Sequence, residues 1–151
     1  RILIETAPFD VNPHNVLVFL EIVEGWKGGA FFRNAGHVLQ AKTDVETPRG
    51  TLAFQEYSPE YPHAEYTLGY AGRPGGPQFY ISIMDNTENH GPGSQGSKTE
   101  ADGCFGRVKE GVEVVDRLNH EWGRNDKGFH GDDMGFLNSE DEMAPLHLKI
   151  H

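Results

Sequence analysis

Gly75-Gly76-Pro77-Gln78-Phe79-Tyr80-Ile81-Ser82-Ile83 and, further on, Asp102-Gly103-Cys104-Phe105-Gly106-Arg107-Val108-Lys109-Glu110-Gly111-Val112-Glu113-Val114-Val115-Asp116-Arg117-Leu118 are the stretches that decide the fold. The first is a Gly/Pro turn running into aromatic and β-branched residues, the composition of a strand. The second is a short apolar strand, a Glu-Gly turn, and then Val112, Val115 and Leu118 at helical spacing.

Outward from these, the same grammar recurs. Strands are expected at 1–6, 30–33, 37–42, 51–54, 65–71, 78–83, 104–108 and 146–150, each bounded by Gly, Pro or Asn turns. Asn12-Pro13 is a helix start, with Asn as cap and Pro in the first turn. Val16, Phe19, Leu20 and Val23 then form one apolar face, and the helix stops near Gly25. Stretches 84–101 and 122–144 are polar and irregular. No repeat or linker interrupts the chain, so residues 1–151 are expected to form a single domain. Short strands with two well-separated helices point to a mainly β fold, a closed or nearly closed antiparallel barrel with helices capping its ends.

Composition narrows the function. With 19 Gly and 9 Pro in 151 residues, turns dominate. The 13 basic and 23 acidic residues leave a net charge of -10, and no basic stripe interleaves with aromatics, so nucleic acid is not an expected partner. An anionic membrane surface would repel the chain, and no apolar run approaches the ~20 residues of a membrane helix. Cys104 is the single cysteine, which excludes an internal disulfide and leaves the compartment unassigned; its apolar neighbours suggest a buried, inert thiol. The chain begins at Arg1 without Met, as a processed or trimmed product would.

The Gln-Phe-Tyr-Ile strand and the Cys-Phe-Gly-Arg-Val-Lys-Glu-Gly-Val-Glu-Val-Val segment closely resemble the cyclophilin family of peptidyl-prolyl isomerases. That family writes Gly-Ser-Gln-Phe-Phe-Ile and Val-Phe-Gly-Lys-Val-x-Glu-Gly-x-x-Val-Val there. Phe31-Phe32-Arg33 is similar to the Phe-His-Arg that bears the family's catalytic arginine. His37-Val38-Leu39-Gln40 is similar to Phe-Met-x-Gln in its active-site wall, and Tyr66 to Ala71 to its Gly-Thr-Val-Ser-Met-Ala strand. The resemblance implies an eight-stranded barrel capped by two helices. It implies Arg33, Gln40 and Gln78 as the catalytic set, with His37, Val38, Ala71, Tyr80 and Phe105 as the substrate-binding wall, and neither cofactor nor metal.

Departures from the family pattern are equally visible. The family's first strand is missing before Arg1, which leads us to expect upstream sequence or a compensating cover over an open edge. The spacing from Arg33 to Gln40 is one residue shorter than usual. His37 replaces a phenylalanine, and Ala101-Asp102-Gly103 replaces a longer Trp-Leu-Asp-Gly-Lys-His, losing the leucine wall of the proline pocket.

Isomerising an X–Pro bond needs no nucleophile. The barrier is amide resonance, roughly 18–20 kcal/mol, and a catalyst must bind the twisted bond better than the planar one. A guanidinium aimed at the pyramidal nitrogen or the carbonyl oxygen does this in a partly desolvated cleft. Arg33 fits that role, Gln40 would hold it, Gln78 would bond substrate backbone, and Tyr80, Val38 and His37 would line the ring pocket. Without the family frame, Arg33 reads as a surface arginine, Tyr80 as a core aromatic and His37 as a solvent-facing strand residue.

The expected partners are therefore proline-containing peptides or proteins. One alternative is a domain of little turnover that binds proline segments or serves as a structural subunit. Another is an acidic scaffold whose partner docks on 84–101 and 122–144. Glu88, Asn89 and His90, with Asp126, His130, Asp132 and Asp133, match no zinc or EF-hand spacing and read as solvated loops.

Overall fold

The computed structural model describes residues 1–45, 50–120, 124–125, 128–129, 134–137 and 139–150. Its strands are β1 (Leu3–Thr6), β2 (Gly29–Asn34), β3 (Val38–Thr43), β4 (Thr67–Gly72), β5 (Gly75–Ser82), β6 (Cys104–Glu110) and β9 (Ala144–Pro145), with a separate pair β7 (Arg124–Asn125) and β8 (Gly128–Phe129). Helices α1 (Pro13–Glu24), α2 (Thr87–His90) and α3 (Val112–His120), with a short 3-10 helix at Glu140–Glu142, complete the described elements. The seven strands of the main sheet run in the order β1-β6-β4-β5-β3-β2-β9, and their pairings are antiparallel. The sheet curls into a half-barrel of cyclophilin type.

The concave side holds the core. Phe19 and Ile22 of α1 meet Phe31, Leu39, Leu68, Tyr70, Phe79, Ile81 and Phe105 from the sheet. Phe105 stacks on Phe19 at 4.3 Å between ring centroids and tilts against Tyr70 at 4.6 Å. Burial of each such side chain contributes roughly 1.5–3 kcal/mol, which makes this aromatic block the main cohesive element. Val115 of α3 is fully buried, with Val112 and Leu118 partly buried beside it, so the stripe read from sequence is the packed face.

Several expectations require correction. Residues 51–54 form no strand; Leu52 instead packs in the core as an isolated loop residue. The closing strand is not 146–150 but Ala144–Pro145, which pairs with Ala30 and Phe31 of β2. Residues 146–150 form no strand, although the Leu146 N–H donates to the Gly29 carbonyl of β2 at 2.9 Å. Asn12 does not cap α1 through its side chain; its Nδ2 donates to the Cys104 carbonyl at 2.9 Å, tying the helix start to β6. The inner face of α1 is Asn15, Val16, Val18, Phe19 and Ile22, with Leu20 and Val23 turned toward one flank.

That flank is where the half-barrel is open. A groove of about 640 Å³ runs between β1 and residues 147–150, with Phe19, Leu20 and Val23 of α1 along it. Among the described residues β1 pairs with β6 alone, so its other edge is bare.

Candidate functional site

The site lies on the convex face, and strand parity puts it there. In β3, Leu39 and Ala41 point into the core, so Val38 and Gln40 point out. In β5, Phe79 and Ile81 point in, leaving Gln78 and Tyr80 outside, with Tyr80 directly across from Gln40. Residues Phe31 and Arg33 are two apart and would share a face in a regular strand. The register shift between them in the β2–β3 pairing changes this: Phe31 enters the core, while Arg33 comes opposite Gln40.

These side chains form one hydrogen-bonded chain. Arg33 Nη1 donates to Gln40 Oε1 at 3.1 Å, and Gln40 Nε2 donates to Gln78 Oε1 at 2.9 Å. A guanidinium has donors only, so it fixes which end of the Gln40 amide faces it. Arg33 Nε donates to the Met134 carbonyl at 2.8 Å, and its guanidinium carbon lies 4.6 Å from the Phe136 ring centroid. The fork is thus held on three sides: by an amide, a carbonyl and an aromatic face. Arg33 is half-buried and Gln78 exposed, so the chain of bonds runs from a partly desolvated cation out to solvent.

The wall residues are placed less uniformly. Val38 and Tyr80 lie beside Gln40 but are only 3% and 2% exposed. Over Tyr80 lies His90 of loop 84–102, whose ring stacks on Tyr80 at 4.7 Å and on His37 at 5.4 Å. Ala71 is half-buried next to the β4–β5 turn. Phe105 is elsewhere: fully buried on the concave side against Phe19, it belongs to the core and not to a substrate wall. The register gives the reason: Leu68 pairs with Gly106 and Gly69 with Cys104, so Phe105 is the extra residue of a bulge, and its ring packs against Phe19, Tyr70 and Phe79.

Beneath the loop is a buried polar cluster that the sequence did not reveal. Asp102 Oδ2 is 2.6 Å from His90 Nδ1, and Asp102 Oδ1 accepts from Arg73 Nε at 2.7 Å. His63 Nε2 lies 2.9 Å from the Asp102 carbonyl, which can only accept, so that nitrogen carries the proton and Nδ1 is free to accept. The Tyr80 hydroxyl is 3.3 Å from this His63 Nδ1 and 3.2 Å from Asp102 Oδ2, and its one proton serves one of them at a time. Of the residues expected to be a solvated loop, Glu88 and Asn89 are exposed but His90 is not: it is 7% exposed, with Ser94 at 8% and Asp102 at 2%. Asp126, His130, Asp132 and Asp133 lie outside the described residues. Among the described residues no group of three His, Cys, Asp or Glu side chains is placed to hold a metal ion. Nor is any helix long and apolar enough to cross a membrane.

Burial sets the charge states here. It drives the His63 imidazole down to about 4, against the pull of its bond to the Asp102 carbonyl. Burial lowers His37 too, opposed by its hydrogen bond to the Ala35 carbonyl. Burial works against a charged Asp102, but the hydrogen bonds and charges of His90 and Arg73 outweigh it and hold the carboxyl below its usual value. The Tyr80 phenol is pushed well above its ordinary value, first by burial and then by the Asp102 carboxylate. Cys104, at the edge of this cluster, is 1% exposed, and burial raises its thiol to about 12.

Arg73 and Asp102 are separated by β5, α2 and a loop, so no local pattern links them. The one available signal was a lone cation inside a Gly/Pro turn, Gly72-Arg73-Pro74-Gly75, where nothing nearby could use it.

Comparison with known proteins agrees with the fold. The family model for cyclophilin-type peptidyl-prolyl cis-trans isomerase/CLD matches residues 8–134, and the chain belongs to that family. A crystal structure of a cyclophilin-type peptidyl-prolyl cis-trans isomerase from Cryptosporidium parvum is similar with a TM-score of 0.63 at 14% identity, over 98% of this chain and 92% of that one. Its structure in the presence of the dipeptide Ala-Pro gives a TM-score of 0.60 at 16% identity, over 99% and 93%. No curated protein matches the chain.

Proposed function

We propose that this chain is a peptidyl-prolyl cis-trans isomerase acting on X–Pro bonds of peptides or proteins. The observation that carries this is the Arg33–Gln40–Gln78 chain of hydrogen bonds on the convex face. A fixed, half-buried guanidinium stabilises the twisted amide more than the planar one, because charge is redistributed onto nitrogen and oxygen only as resonance is lost. Gln78, exposed at the end of the chain, is free to bond the substrate backbone. The slot for the proline ring lies between Tyr80, Val38 and His37. A similar fold was crystallised in the presence of Ala-Pro, which fits a prolyl ligand for this face.

The test is a peptide isomerisation assay with Arg33→Ala. Loss of one such electrostatic contact is expected to lower kcat/KM by about 10²–10³. Equal rates for the two proteins would end the proposal.

A second reading is a proline-segment binder with little turnover. It is favoured by one observation: Val38 and Tyr80 are 3% and 2% exposed, so the slot is covered. Under that reading Arg33→Ala leaves both peptide affinity and the already low rate unchanged. Docking of a partner on 84–101 is weakened by the anchoring of that loop through Arg73 and Asp102, and much of 122–144 lies outside the described residues.

A further inference from the structure

We propose, building on the isomerase reading, that His90 is the residue that closes and sizes the prolyl slot. A proline ring enters beside Tyr80 and His37 only when the His90 imidazole swings out. The imidazole is a five-membered ring like pyrrolidine, and it stacks on Tyr80 at 4.7 Å with 30° between planes and on His37 at 5.4 Å with 22°. It is 7% exposed, and Tyr80 under it is 2% exposed.

Three features make this closure reversible. His90 Nε2 is buried without a hydrogen-bond partner, an unfavourable arrangement that water would relieve once the ring turned outward. Asp102, which accepts from His90 Nδ1 at 2.6 Å, keeps partners when the ring leaves: Arg73 Nε holds one oxygen at 2.7 Å, and Gln95 Nε2 lies 3.2 Å from the other. The backbone of the loop stays pinned as the ring moves, because Arg73 Nη1 donates to the Ser94 and Glu100 carbonyls at 3.0 Å each. Opening therefore needs a side-chain rotation of His90 and no rearrangement of the sheet. The closed form binds no proline, and the apparent affinity is reduced by the fraction of time the slot is open.

The experiment measures binding of the peptide Ala-Ala-Pro-Phe by calorimetry to the wild type, His90→Ala and His90→Phe, with thermal unfolding as a folding control. His90→Ala removes the plug, and its affinity is expected to rise by about fivefold or more. His90→Phe fills the slot permanently, and its affinity is expected to fall by at least a similar factor. A folded His90→Ala protein that binds no better than wild type overturns the idea, as does absence of binding to all three proteins.

Should His90→Ala fail to fold, wild-type NMR decides. The His90 ring protons, shifted by the Tyr80 ring current, are expected to move toward unstacked positions as peptide is added; no movement at saturation overturns the idea. The two proposals fail separately: the Arg33→Ala rate tests turnover, while the His90 variants are read by binding.

Discussion

At position 69 a missing side chain lets an aromatic ring lie across the sheet. A methyl group there would sit 2.5 Å from the Tyr80 hydroxyl oxygen and 2.6 Å from its ring carbon Cζ. Gly69→Ala is therefore expected to displace Tyr80 and cost roughly 1–3 kcal/mol, read by urea unfolding. An unchanged midpoint would show that the ring tolerates another pose. His63 gives a pH signature. Its folded value of about 4 lies below the usual 6.5, so the unfolded chain binds the extra proton between those values. Its contribution is complete above pH 6.5 and is lost as pH falls toward 4, with an upper limit of order 3 kcal/mol. His37, lowered as well, acts in the same direction. Stability measured from pH 7 to 4 should decline, and His63→Gln should flatten that decline; an unaltered slope would place the titration elsewhere. At this scale strand parity put Gln40, Gln78 and Tyr80 on one face, while Arg33 was legible through the family motif alone, because parity would have set it beside Phe31 and only the register shift brings it opposite Gln40. It did not reveal His63, Arg73 or Asp102, whose meaning depends on burial and on contacts between distant segments.

The second level is that of the loop from 84 to 102 and the turn that secures it. The Arg73 guanidinium makes five hydrogen bonds into that loop: to Asp102 Oδ1, to the carbonyls of Ser94, Glu100 and His90, and to Ser94 Oγ. The turn itself is shaped by Gly76, whose φ of 90° suits glycine and whose Cα faces the Gly50 carbonyl too closely for a Cβ. A lysine has the charge but not the planar fork. Arg73→Lys should cost roughly 2–5 kcal/mol through the partly orphaned Asp102. Amide exchange should accelerate at Ser94 and Asp102 while the β3–β5 ladder stays protected. Uniform acceleration would mean that the loop and the sheet open together. Strands beginning at Gly/Pro turns and rich in aromatic residues were readable, and α1 and α3 were readable from their spacing. Residues 51–54 and 146–150 reach a strand, Leu52 N–H donating to the Gly75 carbonyl and Leu146 N–H to the Gly29 carbonyl, without extending into a ladder, and pairing is a property of the assembled sheet.

On the scale of the whole molecule, the open flank of the half-barrel is the dominant feature. The bare edge of β1 and the groove beside it, with Ile150 61% exposed at its rim, are adhesive surfaces. The net charge of -10 opposes association, and salt screens that repulsion. Sedimentation velocity of the 151-residue chain should therefore show association that grows with concentration and with salt. Leu3→Lys on the edge strand should suppress it, and a wild-type coefficient independent of both variables would refute the argument. The sequence led us to expect the family's first strand to be missing or supplied upstream; the groove beside β1 follows from the geometry of β1 and 147–150, which no local pattern encodes.

Cys104 turns the architecture into a clock. Its sulfur is sealed beneath β4 and the 62–64 segment, and its proton is held so tightly that an alkylating reagent finds no thiolate in the closed molecule. The rate at which iodoacetamide consumes that lone thiol thus reports how often the wall between β4 and β6 parts, residue by residue time-stamped on a single atom.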